Sequence, residues 1–346
     1  MEFIVKAYND LDNWLSSLPS GDYNVEIDTT GVSIDQFKGN ASNPSPFGQK
    51  FMNIRKGLAF NIKFAIPDEV TDASYCFTNA YDNSPIKSAI IPSAVGLTNA
   101  EFFFYKNTNL ASADISGFIN VTNTNKLFLG CINLTTVNCT NVSKVTNAEG
   151  MFQDCAALSS IDNTSFNNIT NAKNMFRNCG SLTTLDGASF NKVTNANNMF
   201  RDCVALSSIT NPNFASVSNA VNMFYNCALL TSIDSSSFTN VQNAGNMFSD
   251  CIALSAIDTT SFTSVTDSHG MFNNCKKLSS VNIASFSKST DTSNMFRNCS
   301  SLSTIIWGNI KPDIYNQMFS GLPSNTITVY SGDMESWINT NKSAIS

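Results

Sequence analysis

This sequence predicts an α/β repeat solenoid, a curved rod of 24-residue coils closed by a cap at each end. Three observations carry that reading. A Met-Phe pair recurs at Met151, Met175, Met199, Met223, Met247, Met271 and Met295, always 24 residues apart. Eight cysteines keep the same step: Cys131, Cys155, Cys179, Cys203, Cys227, Cys251, Cys275 and Cys299. Three residues after each comes a leucine (Leu134, Leu158, Leu182, Leu206, Leu230, Leu254, Leu278, Leu302), and three further on another aliphatic residue, among them Ile161, Leu185, Ile209, Ile233, Ile257, Val281 and Ile305. A fixed period of this length marks stacked units, none of which buries its apolar face alone.

The elements follow in chain order. Residues 9–18 read as a short helix, capped by Asn9 or Asp10, with Leu11, Trp14, Leu15 and Leu18 on one face and Pro19 and Gly21 ending it. Tyr23, Val25 and Ile27 alternate with polar residues, a strand signal. Residues 31–57 are turn-rich, above all the stretch 40–48 with its two prolines. Residues 1–57 are therefore an N-terminal helix/strand cap over the open apolar end of the first coil. Leu58, Phe60, Ile62 and Phe64 alternate as a strand and begin the solenoid, which is expected to run over residues 58–330. Cys76 with Phe77, and Phe103 with Phe104, are irregular early copies of the Met-Phe pair, and Asn107 stands where the cysteine would be. Regular repeats fill residues 103–319. The last copy, Met318 with Phe319, is followed by Gly321, Leu322 and Pro323 in place of Cys-x-x-Leu. Thr326, Thr328 and Tyr330 alternate with Ile327 and Val329 in a final strand. Residues 331–346 then form a C-terminal capping helix, with Asp333 at its start and Met334, Trp337 and Ile338 on one side.

Within a coil, Leu-x-x-Ile is expected to give a short strand paired in parallel with its neighbours. Phe-x-x-Val marks the next turn of the wall, and Ala-x-Asn-Met-Phe a helical or 3₁₀ segment. Equivalent residues of adjacent coils then lie about 4.8 Å apart, the strand spacing.

This unit resembles the BspA-like (Treponema pallidum type) leucine-rich repeat, in the M-F-x-x-C-x-x-L-x-x-I variant found in bacterial surface proteins. The matching residues in one coil are Leu182 and Leu185, Phe190 and Val193, then Met199, Phe200 and Cys203. The third leucine of the commoner pattern is not kept, because Asp162, Asp186, Asp234 and Asp258 follow the second aliphatic residue. The resemblance implies a leucine-rich-repeat solenoid with helix-plus-strand caps. It also implies a cell-surface or secreted protein of the kind implicated in adhesion.

Composition narrows the function classes. Only 13% of residues are charged and the net charge is −6, with no basic run longer than Lys276 and Lys277. Phosphate backbones demand clustered Lys and Arg, so nucleic acid is not an expected partner. No stretch of 18 apolar residues is present, so no membrane insertion is expected. The start, Met-Glu-Phe-Ile-Val-Lys, lacks a basic region followed by an apolar one. Three origins stay open: a chain retained in the cytoplasm, one whose export segment has been removed, and one released on a phage particle.

Each column of the repeat has a structural and a functional reading. The cysteines form a reduced, buried ladder, since stacked equivalents are too far apart for the disulfide Cβ separation of about 3.8 Å; Cys139 and Cys76 are the alternatives for a bridge. Without a C-x-x-C pair, and with one histidine, no metal site and no cofactor is expected. Asn or Asp precedes each cysteine from Asp154 to Asn298 and suits a left-handed turn at a helix end. Asn147, Asn171, Asn195, Asn219 and Asn243 are expected to form a hydrogen-bonded ladder. The Asp162, Asp186, Asp234 and Asp258 column reads as a solvated rim, with a calcium strip as the alternative. Paired hydroxyls such as Thr183 and Thr184 or Ser207 and Ser208 give a polar sheet surface that solubilises the rod or receives glycans. The most variable column follows the repeated Phe: Gln153, Arg177, Arg201, Tyr225, Ser249, Asn273, Arg297. Arg and Tyr are favoured at interfaces, which makes Arg177, Arg201, Tyr225 and Arg297 the candidate partner contacts; the alternative is that they lie along the surface between coils.

Catalysis needs unlike groups converging in a cleft, whereas a translational array sets like groups in rows. The expected function is non-enzymatic binding or adhesion, with a protein or glycan ligand. A structural spacer or self-assembling surface component, and a host-attachment module of a phage or other particle, are the alternatives.

Overall fold

The computed structural model describes residues 2–52, 54, 57–78, 84–161, 166–186, 189–210, 212–308, 311–324, 327–329, 336–337 and 340–341. It divides into two compact units, Met1–Ile169 and Thr170–Ser346. Both are solenoids of about 24-residue coils.

The N-terminal unit is organised by a six-stranded parallel sheet in sequential order: β1 (Ile4–Ala7), β2 (Gly21–Asp28), β3 (Leu58–Phe64), β4 (Ile86–Ile90), β5 (Ser112–Asp114) and β6 (Thr136–Asn138). β3 shows why it forms here. Its inward residues Leu58, Phe60, Ile62 and Phe64 are all buried, while Ala59, Asn61 and Lys63 between them are half-exposed, the period-2 pattern of a half-buried strand. The expected N-terminal helix is α1 (Leu11–Ser17), entered through a 3₁₀ turn at Tyr8–Asp10. Leu11 and Leu15 are buried, and Asp10 sits at the N-cap without a side-chain bond to the helix. Two elements lie outside the sequence-based reading. β1 pairs in parallel with β2 as an edge strand, and the turn-rich region contains α2 (Pro46–Met52). Pro46 at the first helical position explains how a proline-bearing stretch starts a helix. Phe47 and Phe51 of α2 pack on Phe64, Phe77 and Phe60, plugging the first coil.

The C-terminal unit has shorter strands: β7 (Thr184–Asp186) paired with β8 (Ser208–Thr210), and β9 (Ser280–Asn282), β10 (Thr304–Ile306) and β11 (Ile327–Val329), all parallel. The expected C-terminal helix is helical at residues 336–337 and 340–341. Trp337 meets Tyr315 edge-on at 5.0 Å, and the Tyr315 hydroxyl donates to Asn341 Oδ1. Asp333, Met334, Ile338, Thr326 and Tyr330 lie outside the described residues.

One expectation is corrected. The Ala-x-Asn-Met-Phe segment is neither α-helix nor 3₁₀ helix but a chain of tight turns. In the coil of Ala172, the amides of Met175, Arg177 and Cys179 bond three residues back, to Ala172, Asn174 and Phe176. The amides between them point to the next coil, Asn174 to Asn197, Phe176 to Met199 and Asn178 to Arg201. This alternation needs left-handed backbone at two positions per coil, Asn174 (φ 57°) and Asn178 (φ 63°), as a turn with positive φ at its third residue requires. Asn and Asp tolerate that region best among residues with a side chain. The residue before every repeat cysteine from Asp154 to Asn298 is left-handed, but it closes a turn rather than a helix.

Inside each unit the repeated Phe rings form a column. In the C-terminal unit the rings of Phe176, Phe200, Phe224 and Phe248 stack nearly parallel at 5.4 Å centroid spacing. In the N-terminal unit Phe77, Phe104, Phe128 and Phe152 stack at 5.5–5.6 Å, so the irregular early copies occupy the repeat position. No helix among the described residues is long and apolar enough to cross a membrane.

Candidate functional site

All ten cysteines are buried and none is bonded to another. Their thiols have a common task. Cys131 and Cys155 donate to the carbonyls of Phe104 and Phe128, and Cys203, Cys227, Cys251, Cys275 and Cys299 to those of Phe176, Phe200, Phe224, Phe248 and Phe272. Each such Phe carbonyl also takes a turn amide, so both its lone pairs are used. Asn107 makes the point independently: it stands in the cysteine column, and its Nδ2 donates to the Phe77 carbonyl at 2.5 Å. The column therefore needs a small buried donor, which cysteine supplies with an apolar body. Burial pushes the thiols of Cys76 and Cys299 up to about 12, and those of Cys131, Cys203, Cys227, Cys251 and Cys275 upward as well. Such groups are not nucleophiles.

Polar side chains run in ladders parallel to this core. Asn99 Nδ2 donates to Asp72 Oδ1, Asn123 to Asn99 and Asn147 to Asn123, at 2.9–3.1 Å. In the C-terminal unit, Asn195, Asn219 and Asn243 each accept the amide two residues on. Before Asn195 and Asn219, the hydroxyls of Thr194 and Ser218 donate to the carbonyls of Thr170 and Thr194 in the previous coil. The paired hydroxyls of the strand face are partly committed too, since Ser207 donates to the Thr183 carbonyl and Ser303 to that of Ser279. Asp234 and Asp258 are more than a rim: Oδ1 of each accepts the amide two residues on, turning the chain out of the strand position. That bond, with one from the Ser236 side chain, holds the Asp234 carboxyl below its ordinary range. Asp162 and the side chain of Asp186 lie outside the described residues.

The candidate contact column lies on the turn wall of the C-terminal unit. Arg201 is half-buried, its Nε 3.2 Å from Asp202 Oδ2 and its guanidinium 4.7 Å from the centre of the Tyr225 ring. Burial, then the Asp250 carboxylate, raises the Tyr225 phenol. Arg177 is half-buried and Arg297 exposed. The structure thus joins Arg201 and Tyr225 directly. Sequence spacing placed them on successive coils but carried no signal for the bracing by Asp202.

Two further features had no sequence signal. In the N-terminal cap, a cavity of about 700 Å³ is lined by Tyr8, Asp12, Leu15, Gln36, Lys50 and Ile54. Lys50 there is spent on Asp12, at 2.6 Å, and on the Tyr8 ring, at 4.5 Å, a pin between α1 and α2. In the C-terminal unit, Asp267, His269 and Asp291 bring one donor atom each within 4.8 Å of the others.

The family described as "Mycoplasma protein of unknown function, DUF285" matches residues 98–208, 194–310 and 220–337. No curated protein matches the chain. Among solved structures, the chain is similar to a leucine rich cell surface protein from Faecalibacterium prausnitzii A2-165, at 19% identity over 94% of this chain and 92% of that one, TM-score 0.40. It is similar to an internalin from Listeria monocytogenes (8% identity, 93% of each chain, TM-score 0.30). A leucine-rich repeat protein from Eubacterium ventriosum gives 15% identity over 78% and 84% of the two chains, TM-score 0.30.

Proposed function

The chain belongs to the family described as "Mycoplasma protein of unknown function, DUF285", and we propose that it is a non-enzymatic binding protein presenting a repeat surface to a protein or glycan at a cell surface or after secretion. One observation carries this reading. On a surface dominated by uncharged Ser, Thr and Asn, Arg201 is held by Asp202 and stacked on Tyr225. A braced Arg–Tyr pair is already ordered, so a partner that docks on it meets a reduced entropic cost. Arg177 and Arg297 extend the same column to either side along the sequence.

A glycan array and a pull-down with the intact chain identify the partner. Arg201→Ser combined with Tyr225→Ser is then expected to weaken its binding at least about tenfold, the effect of losing one anchor worth roughly 1.4 kcal/mol. Unchanged affinity overturns the assignment of this face. A second reading, self-assembly as a structural spacer, is favoured by the exposed aliphatic residues Val204, Leu229 and Ile252. Light scattering separates the two: a mass that grows with concentration, abolished by Leu229→Lys, supports assembly, and a concentration-independent monomer removes it.

A further inference from the structure

We propose that Asp267, His269 and Asp291 form a binding site for a divalent transition-metal ion of the zinc class. The two aspartates stand in the column of residues bridged from coil to coil. It holds Asn at positions 99, 123, 147, 171, 195, 219 and 243, and Asp at 72, 267 and 291. An Asn both accepts and donates, which is what lets the amides run as a ladder. An ionised Asp only accepts. Two of them on adjacent, bridged coils therefore leave facing carboxylates with no proton between them. That arrangement calls for a cation.

The other acidic member of the column shows how this fold answers that demand with its own residues. Asp72 Oδ2 lies 2.6 Å from Lys38 Nζ. Among the described residues, no lysine or arginine pairs with Asp267 or Asp291. What the sequence supplies is its sole histidine. His269 Nδ1 lies 2.7 Å from Asp267 Oδ1, and its Nε2 lies 3.0 Å from the side-chain amide of Asn246. Amide orientation and ring tautomer are linked at such a contact. Asn246 Nδ2 donates to Nε2, which leaves the ring proton on Nδ1 toward Asp267; an entering ion displaces that proton, and with the Asn246 amide turned over Nε2–H becomes the donor. Metal-bound histidines have their second nitrogen fixed in this way.

The donor set selects the ion class. One imidazole and two carboxylates suit zinc and its neighbours, while calcium takes six to eight oxygens. Bonds of about 2.0–2.2 Å to a tetrahedral ion place its donors about 3.3–3.6 Å apart, so side-chain rotation opens the His269–Asp267 contact from 2.7 Å while the Asp291 donor, already within 4.8 Å, closes on both. His269 and Asp267 keep 37% and 29% of their side-chain surface exposed, so solvent completes the coordination.

The test uses the untagged full chain. Zn²⁺ is titrated by calorimetry at pH 7.5, and the imidazole nitrogens are followed by long-range ¹H–¹⁵N NMR, which sees a single ring because the chain has one histidine. One saturable site with a shift at Nδ1 is expected. Asp291→Asn and His269→Asn should each weaken Zn²⁺ binding at least tenfold while Asp72→Asn leaves it unchanged. Both tested substitutions install a residue that equivalent positions already hold, Asn at 243 and Asn at 197, and circular dichroism checks that the fold is kept. The proposal is overturned by an absence of saturable binding at millimolar Zn²⁺, or by binding that both substitutions leave intact. A ring that answers to pH but not to Zn²⁺ overturns it too, and Ca²⁺ binding as tight as Zn²⁺ overturns the ion class.

Discussion

In the C-terminal unit, the turn wall and the strand wall of the same coils are built to different standards. Between the coils of Ala196 and Ala220 the turn wall carries four backbone rungs, from Ala196, Asn198, Phe200 and Asp202 to Asn219, Val221, Met223 and Tyr225, each at 2.9 Å. Its bridges run on through Asn243, Asp267 and Asp291 to Ile314. The strand wall has three-residue strands and lapses between β8 and β9. There the amide of Ser255 reaches Thr231 at 3.2 Å and that of Ser279 reaches Ser255 at 3.4 Å. Exposure of the single inward residue per strand follows the lapse. It rises from 3% at Leu185 to 6% at Ile209 and 9% at Ile233, leaves Ile257 half-buried, and returns to 4% at Val281 and 0% at Ile305. The turn wall, by contrast, buries Ala, Met, Phe and Cys together in coil after coil. In this unit the second aliphatic position of the leucine-rich pattern marks the weaker wall, and the Asn, Phe and Cys columns hold the coils in register.

The largest expected effect tests that asymmetry directly. Phe224→Ala, in the middle of the ring column, should cost about 3–5 kcal/mol, and Ile233→Ala under about 2 kcal/mol, because the isoleucine leaves a partly solvated site instead of a sealed cavity. Urea denaturation of the two variants measures both, and equal costs would erase the distinction between the walls. A smaller effect isolates the backbone. Asn226 has φ 57°, so Asn226→Ala should cost about 1–2 kcal/mol, while Asn226→Gly should cost less, as Gly130 fills the matching position in another coil. Ser232→Ala on the strand wall should stay within about 0.5 kcal/mol. If alanine and glycine at position 226 behave alike, backbone conformation is not what Asn supplies there.

The most gradual effect concerns pH. In the unfolded chain the thiols ionise near 8.5. Burial holds Cys76 and Cys299 up to about 12 in the folded chain, with the other raised thiols shifted the same way. The folded form thus keeps protons that the unfolded form releases. Their contribution to stability is complete below about pH 8.5 and is lost as pH rises toward 12. Melting temperature should decline from pH 8.5 to 10.5, and a thiol reagent at pH 8 should react only as the chain unfolds. Fast labelling of the native chain would place the cysteines outside the core.

Much of this was legible in the residues. The 24-residue step of Met, Phe and Cys set which side chains lie over one another, and the left-handed preference of Asn and Asp located the tight turns. The alternation in β3 and the apolar face of α1 were equally plain. The turn wall was misread as helical because its apolar residues Ala172, Met175, Phe176 and Cys179 are spaced three and four apart, as on a helix face. β1 has four residues of which none is buried, so no inward pattern announces it. Asp267, His269 and Asp291 look unrelated until coils are overlaid, since two of them sit a full repeat apart.

What the sequence determined alone is the period and the content of each column, because identical residues at a fixed step can bury their apolar surface only by stacking. What the tertiary structure decided is the backbone within the step. A turn amide such as Phe200 N–H is received outside its own coil, by the carbonyl of Met223 in the next one. Local preference therefore cannot choose between helix and turn. That choice is made when a second coil arrives, and with it come the thiol donors, the Arg201–Tyr225 stack and the facing carboxylates of Asp267 and Asp291.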